Sequence, residues 1–316
     1  MFNFLLYETM NQAGVDVLKA AGNVRMASAT DEDTLIAEIG DIDGVVIRGN
    51  GRMTRRIMEH APRLKVVGRH GVGVDNVDLE AATDHGIQVV NTPEATVEPV
   101  AEHAVAMMLS LSKLLLPCDA MARGGRFTER LGVQGCEMAG KTLGVVGFGR
   151  IGQRVAQICR LGLNMDILYS DVTAWPEMEK ALGARRMDLH EMLPLADYVT
   201  VHVPLLPSTH KLMGAREFAL LKPTAFFVNT SRGPVVDERA LYEALQAKRF
   251  AGAGIDVYEV EPAPAEHPLF SLENTIVTPH VASSTAEALV KMSLVAEDVV
   301  AVLEGRKPRF PVNALP

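Results

Sequence analysis

The chain has 316 residues, 48% of them hydrophobic, with 31 Lys plus Arg set against 39 Asp plus Glu for a formal charge of -8. That apolar content fills a substantial core and excludes a mainly disordered chain. The acidic balance argues against a general nucleic-acid footprint. The three cysteines, Cys118, Cys136 and Cys159, form no CxxC pair and no disulfide framework, which suits a reducing compartment. The opening MFNFLLYETMNQ has neither a basic leader nor a small-residue cleavage site. The most apolar helical stretch, 101–116, holds Glu102, His103 and Lys113 and is short for a bilayer. The expectation is a cytoplasmic protein that partners neither membrane nor nucleic acid.

Along the chain, short apolar runs alternate with helix-length segments. Residues 45–47, 64–68 and 88–91 read as strands, with a helix near 54–60 between the first two. A helix is predicted from about 97 to 116, with Glu98 and Glu102 near its positive end and Pro117 as its stop. Residues 118–140 hold few strand signals and read as a connection between domains. A second series begins with a strand at 142–146, a glycine turn, a helix over 150–160 and a strand at 166–169. Further strands are predicted at 198–203, 225–229, 252–255 and 275–277, with helices near 209–221 and 238–248. Such alternation predicts parallel strands joined by helical crossovers, with ligand groups beyond the strand ends. A last helix over 284–303 and the tail GRKPRFPVNALP follow this series and return to the first domain. The predicted fold is therefore α/β: two doubly wound parallel-sheet domains, a Rossmann-type nucleotide domain inserted into a discontinuous flavodoxin-like substrate domain. The boundaries are 1–97 with 285–316 for the substrate domain and 98–284 for the nucleotide domain.

The strongest local motif is Gly147-Phe148-Gly149-Arg150-Ile151-Gly152, directly after the strand TLGVV. Gly147 permits a tight turn, Gly149 lets main chain approach a pyrophosphate, and Gly152 allows close packing of helix on strand. N–H groups at the helix start then meet the negative phosphates. Asp171 ends the next strand, where its carboxylate accepts ribose hydroxyls and repels a 2′-phosphate, favouring NAD over NADP. In isolation Asp171 reads more readily as a solvated turn acid, and the glycine motif beside it reverses that reading.

Three loops carry the remaining chemistry: NTSRGPVVDE at 229–238, GIDVYEVEP at 254–262 and TPHVASST at 278–285. An arginine fork suits a substrate carboxylate, and a histidine paired with a carboxylate suits proton transfer at an alkoxide. Arg232, Asp256, Glu261 and His280 are the residues of those types, and no metal is needed. Taken singly, each has a plain alternative as an ion-paired loop residue, a helix cap or an exposed turn acid.

The chain resembles the D-isomer-specific 2-hydroxyacid dehydrogenase family, in its phosphoglycerate dehydrogenase-like branch without a C-terminal regulatory domain. The similarity runs through GRHGVGVDNVDLEAA at 68–82, NTPEATVEPVAEH at 91–103, GKTLGVVGFGRIG at 140–152, VHVPLLPST at 201–209 and NTSRGPVVDERAL at 229–241. It implies a catalytic set of Arg232, Glu261 and His280, with Arg232 orienting the acid and Glu261 supporting His280 as acid/base. It also implies that Asp256 lies by the nicotinamide, that Val203, Pro204, Thr230 and Ser231 line the cofactor, and that the protein is a homodimer through the nucleotide domain. For the substrate it implies main-chain binding of a carboxylate at Val72 and Gly73, with Arg48 and Arg69 extending recognition to a phosphate. The loop Arg48-Gly49-Asn50-Gly51 and Val72 offer fewer hydroxyl donors than that branch usually does. The expected activity is NAD-dependent oxidation of a D-2-hydroxyacid, 3-phosphoglycerate first. Reduction of hydroxypyruvate, glyoxylate or another 2-oxoacid is the close alternative, and a non-catalytic NAD(H)-sensing scaffold the distant one.

Overall fold

The N-terminal part supplies five strands: β1 (Phe2–Leu6), β2 (Gly22–Met26), β3 (Gly44–Ile47), β4 (Val66–Arg69) and β5 (Gln88–Val90). All pair in parallel, in the order β2-β1-β3-β4-β5. Side chains alternate between the two faces, as strand geometry requires. Leu5, Val45, Ile47, Val67 and Val89 pack with Leu35, Ile39, Ile57 and Ala81 on one side. Phe4, Leu6, Val46, Val66 and Val90 pack with Leu18, Val295 and Val299 on the other. The second face is thus closed by the last helix, Val295–Leu303, while Asn313 bonds the main chain of Ile87 and Val89. Each fully buried aliphatic side chain contributes about 1.5–3 kcal/mol, so the C-terminal segment is part of this unit's core.

The remaining strands are β6 (Thr142–Val146), β7 (Asp166–Ser170), β8 (Arg185–Arg186), β9 (Tyr198–Val201), β10 (Phe226–Asn229), β11 (Gly252–Ile255) and β12 (Thr275–Val277). They form a second parallel sheet, ordered β12-β11-β10-β9-β6-β7-β8. Apart from the short edge strand β8, its strands read as largely apolar runs, the pattern of a sheet covered on both faces. One face packs on the helices Val97–Lys113 and Arg150–Leu163, the other on helices around Phe218 and Leu241. Strand order reverses between β6 and β9, and ligands of open parallel sheets gather at the carboxyl ends beside such a switch.

This computed structural model describes residues 1–315, which divide into two compact units: Met1–Thr96 with the segment from Ser284 onward, and Val97–Ser283. The fold is α/β, a Rossmann-type domain inserted in a discontinuous flavodoxin-like one. Among the described residues no single helix is long and apolar enough to cross a membrane.

Three expectations are corrected. Pro117 does not stop the long helix; the break is Leu114, in the left-handed region with φ 52°. Pro117 instead sits in the first turn of the next helix, Leu115–Arg123, where a missing N–H costs nothing. Residues 118–140 are likewise no linker between domains, since they lie inside the second unit as that helix and a 3₁₀ segment, Phe127–Gly132. The single C-terminal helix expected over 284–303 is two, Ala286–Ser293 and Val295–Leu303, parted at Leu294.

Candidate active site

The turn after β6 has the geometry its glycines predict. Gly147 has φ +88°, and a Cβ there would meet the His202 carbonyl at 2.7 Å and a Val203 methyl at 2.7 Å. A Cβ on Gly152 would meet the Gly147 carbonyl at 2.2 Å, so only glycine lets helix Arg150–Leu163 start this close to the turn. Gly149 is the helix N-cap and provides no side-chain cap. First-turn N–H groups therefore stay open to an anion, and nothing lies within 4 Å of a Cβ position at Gly149.

Asp171 follows β7 and is tied into the same turn: Oδ2 accepts from the Phe148 N–H at 2.6 Å and Oδ1 from the Thr173 N–H at 2.8 Å. Beside it opens a cavity of about 450 Å³ lined by Ser170, Asp171, Arg186, Met187, Asp188 and Glu191. The Arg186 guanidinium is anchored on main chain, donating to the carbonyls of Asp171 at 2.8 Å and Val172 at 2.9 Å. Among the other cofactor candidates, Val203 and Pro204 follow β9, and Thr230 and Ser231 follow β10. Ser231 is held by Asn229, whose Oδ1 accepts its N–H and hydroxyl at 3.0 and 2.8 Å. The Thr230 hydroxyl oxygen is buried with no hydrogen-bond partner among the described residues, a polar group placed for something to bind.

Three neighbouring strands deliver the polar set. Arg232 follows β10, Glu261 follows β11 and His280 follows β12, all at carboxyl ends. The Arg232 carbonyl accepts from Asn229 at 3.0 Å and its Nη1 donates to the Ser231 carbonyl at 2.7 Å. A Cβ on Gly233 would overlap the Tyr258 carbonyl at 1.9 Å, so glycine brings this loop onto the one carrying Glu261. Glu261 Oε2 lies 2.7 Å from Nδ1 of His280, and its Oε1 accepts the Tyr258 N–H at 3.0 Å. The carboxylate selects the tautomer with hydrogen on Nδ1, leaving Nε2 of the half-exposed ring for proton exchange.

Burial raises the Glu261 carboxyl, but hydrogen bonds from His280 and the Tyr258 N–H, with the charges of His280 and Arg232, outweigh it and hold the group below its ordinary value. A depressed carboxylate stabilises the fold above its ordinary value of 4.5 and loses that contribution as pH falls through the depressed one. Glu261→Gln is therefore expected to lower the melting midpoint at neutral pH, with the gap to wild type closing in acid. Thermal denaturation from neutral to acidic pH checks this, and a gap that widens in acid would contradict it.

Asp256, expected beside the nicotinamide, is fully buried, and its carboxylate has three donors of its own unit: the Thr278 hydroxyl and the N–H groups of Val281 and Ala282. Sequence reading missed His103, Thr278 and Tyr258, which crowd around it. Tyr258 donates its hydroxyl to the Thr278 carbonyl at 3.0 Å, and burial with the nearby charges of Asp256, Glu261 and Glu238 pushes that hydroxyl up to about 12. His103 and Thr278 stand in the motifs AEH and TPH, but nothing local in either says that they meet.

The substrate candidates stand in the other unit. Arg48 Nη1 donates to the Thr9 carbonyl and Arg69 Nη1 to the His70 carbonyl. Asn76 ties the Arg48 and Gly51 carbonyls together at 3.0 and 3.1 Å, which shapes the first loop. In the second, Gly71 has φ +129° and gives its N–H to the Thr92 hydroxyl at 3.1 Å, and Asn91 holds the Val72 carbonyl at 2.8 Å. Val72 is exposed and Gly73 half-buried, their N–H groups unbonded among the described residues, the arrangement a carboxylate needs.

Comparison with known proteins follows this geometry. The family model for the D-isomer specific 2-hydroxyacid dehydrogenase NAD binding domain matches residues 105–282. A D-3-phosphoglycerate dehydrogenase of Methanocaldococcus jannaschii is 39% identical over 315 residues, covering 99% of this chain and 60% of that one. A glyoxylate reductase of Pyrococcus furiosus is 41% identical over 289 residues, covering 89% of this chain and 85% of that one. The chain thus spans about 60% of the length of the first phosphoglycerate dehydrogenase relatives. Among solved structures, a protein from Thermus thermophilus superposes with a TM-score of 0.91 at 35% identity, covering 98% of this chain and 100% of that one. An NADPH-dependent glyoxylate/hydroxypyruvate reductase from Sinorhizobium meliloti, in complex with NADP and malonate, superposes with a TM-score of 0.89 at 31% identity, covering 98% and 96%.

Proposed function

Since this chain belongs to the D-isomer-specific 2-hydroxyacid dehydrogenase family, we propose that it is an NAD-dependent dehydrogenase acting on the CH–OH group of a small D-2-hydroxyacid. One observation carries the reading: the 2.7 Å Glu261–His280 pair stands with Arg232 on loops after three adjacent strands of the sheet that also bears the glycine turn. A bound nicotinamide would supply the acceptor for the C2 hydride in oxidation and its donor in reduction. His280 removes the hydroxyl proton as C2 becomes a carbonyl, and returns it in the reverse direction. Glu261 orients the ring and offsets the charge it acquires, while Arg232 grips the carboxylate and polarises the oxygen on C2. Purified protein mixed with NAD or NADH and a panel of acids should change absorbance at the NADH band. NADH binding with no turnover across the panel, unaffected by His280→Ala, would instead support the sensing scaffold.

Gly147, Gly149, Arg150, Ile151 and Gly152 would hold the pyrophosphate on main chain, and Asp171 the adenosine ribose. NAD rather than NADP is supported by the cavity beside Asp171, where Asp188 and Glu191 add negative charge. Asp171→Ser is expected to weaken NADH binding about 10–100-fold, the worth of a charged hydrogen bond. Titration of both reduced cofactors checks this; unchanged NADH affinity would remove Asp171 from the ribose site.

For the acid, 3-phosphoglycerate is the first candidate, with Val72 and Gly73 taking the carboxylate and Arg48 and Arg69 the phosphate dianion. A 2-oxoacid such as glyoxylate or hydroxypyruvate is the second reading, favoured by the 41% identity to the glyoxylate reductase relative. Comparing 3-phosphoglycerate with its unphosphorylated analogue in wild type and Arg48→Ala separates them. A phosphate preference lost in the variant supports the first, and equal use of both acids supports the second.

A homodimer through the nucleotide domain completes the reading. Helix Leu115–Arg123 buries none of its residues, and Leu116, Phe127 and Leu131 are 54%, 65% and 89% exposed. An apolar patch of this kind suits a second copy. Met107, on the preceding helix, belongs instead to the core beneath Gly254. Sedimentation of wild type against Phe127→Asp/Leu131→Asp reads the assembly directly.

A further inference from the structure

Thr278 is a junction. Its hydroxyl donates to Oδ1 of Asp256 at 2.5 Å, and its carbonyl accepts from the Tyr258 hydroxyl at 3.0 Å and the His280 N–H at 3.1 Å. From the long helix, Nε2 of His103 comes within 3.1 Å of the same hydroxyl oxygen and 3.8 Å of the Asp256 carboxylate. Because the hydroxyl hydrogen is spent on the carboxylate, the imidazole is the donor in that contact.

Asp256 is the centre of the arrangement. It is wholly buried, and a buried carboxylate persists only where donors surround it. Val281 and Ala282 give their N–H groups at 2.9 Å each, and the Asp256 carbonyl receives the His280 N–H at 2.8 Å. The residue enclosed between these bonds is His280, whose φ of 52° lies in the left-handed region. For a non-glycine residue that conformation is unfavourable and survives only where the surroundings over-determine it. A fully satisfied polar network supplies such determination.

We propose that His103 and Thr278 are positioning residues for proton transfer: they fix Asp256 in the orientation that ties down the loop bearing His280, so that the imidazole is set before the acid binds. The inference rests on the reading of His280 as acid/base. Neither residue touches the reacting atoms; both act through Asp256.

The test compares Thr278→Val, Thr278→Ser, His103→Ala and His103→Gln with wild type. Loss of the hydroxyl or of the imidazole donor is expected to lower kcat about 10–100-fold, the scale of a misplacement of about 1 Å, with NADH affinity kept within about threefold. Serine at 278 and glutamine at 103 keep the donors and should restore kcat to within about tenfold of wild type. Proton NMR gives a readout independent of the substrate, since the His280 Nδ1 proton shared with Glu261 should resonate far downfield. That signal is expected to be sharp in wild type and Thr278→Ser, and broadened in Thr278→Val and His103→Ala. Equal rates and equally sharp signals in all five proteins would overturn the proposal, as would a serine variant as impaired as the valine one. If wild type turns over no acid, the dehydrogenase reading fails, while the resonance still decides whether the network orders the ring.

Discussion

His280→Ala is expected to reduce kcat in both directions by about 10²–10⁴-fold, the usual contribution of a general acid/base. NADH affinity should stay within about threefold, because the open phosphate donors lie at the turn after β6 and His280 lies beyond β12, on the far edge of the sheet. Loss of rate without loss of cofactor is the signature of an interaction made in the transition state. Glu261→Gln should be milder than His280→Ala, since a neutral amide still holds the ring through Nδ1 and loses only the charge compensation. Steady-state kinetics and NADH fluorescence titration on the two variants separate these outcomes. Comparable activity in wild type and His280→Ala would remove the imidazole from the chemistry.

Gly152→Ala should abolish nucleotide binding more thoroughly than any change of a charged residue. The new Cβ would stand 2.2 Å from the Gly147 carbonyl and 3.0 Å from a Val145 methyl, and both obstacles are main chain or core. Helix Arg150–Leu163 must then move away from the turn, carrying with it the first-turn N–H groups. Overpacking of this kind costs about 1–3 kcal/mol of stability. The larger consequence is for binding: three or four main-chain donors lose their common focus, and NADH affinity is expected to fall at least about 100-fold. Fluorescence titration with near-ultraviolet circular dichroism as a folding control reads both effects. Wild-type affinity in a folded Gly152→Ala protein would mean that the turn does not hold the pyrophosphate.

Much of the second sheet is legible in the sequence because each strand is a short apolar run bounded by turn residues. Residues 142–146, 252–255 and 275–277 form strands with the bounds read from composition. Edge elements are harder. Residues 22–26 and 185–186 carry Asn, Arg and Met rather than an apolar run, and only pairing with β1 and β7 makes them strands. The helix break at Leu114 escapes notice because leucine carries no turn signature, and a left-handed leucine is a product of packing. Pro117 looks like a stop only when the helix containing it is assumed to begin at 97; as a first-turn residue of a new helix it is well placed.

For the site, the sequence names the chemically able residues, and the sheet order explains why loops at 229–238, 254–262 and 278–285 converge: β10, β11 and β12 are neighbours. What it does not contain is the partner of each group. The resemblance puts Asp256 by the nicotinamide, but no local pattern shows that its carboxylate is met by a hydroxyl and two N–H groups from 22 to 26 positions away. Such bonds depend on the path of the main chain after β12, which no local pattern encodes. The left-handed His280 is of the same kind, since its backbone is set by Asp256 and Thr278 rather than by its own preference.

The most direct test of the central claim is isotope transfer. NADH deuterated at nicotinamide C4 would be incubated with phosphorylated and unphosphorylated 2-oxoacids, and the products examined by mass spectrometry and chiral chromatography. The account predicts a D-2-hydroxyacid carrying deuterium at C2, formed at a rate that collapses in His280→Ala. Bound NADH that passes its label to none of the acids, or that passes it equally well without His280, would contradict it.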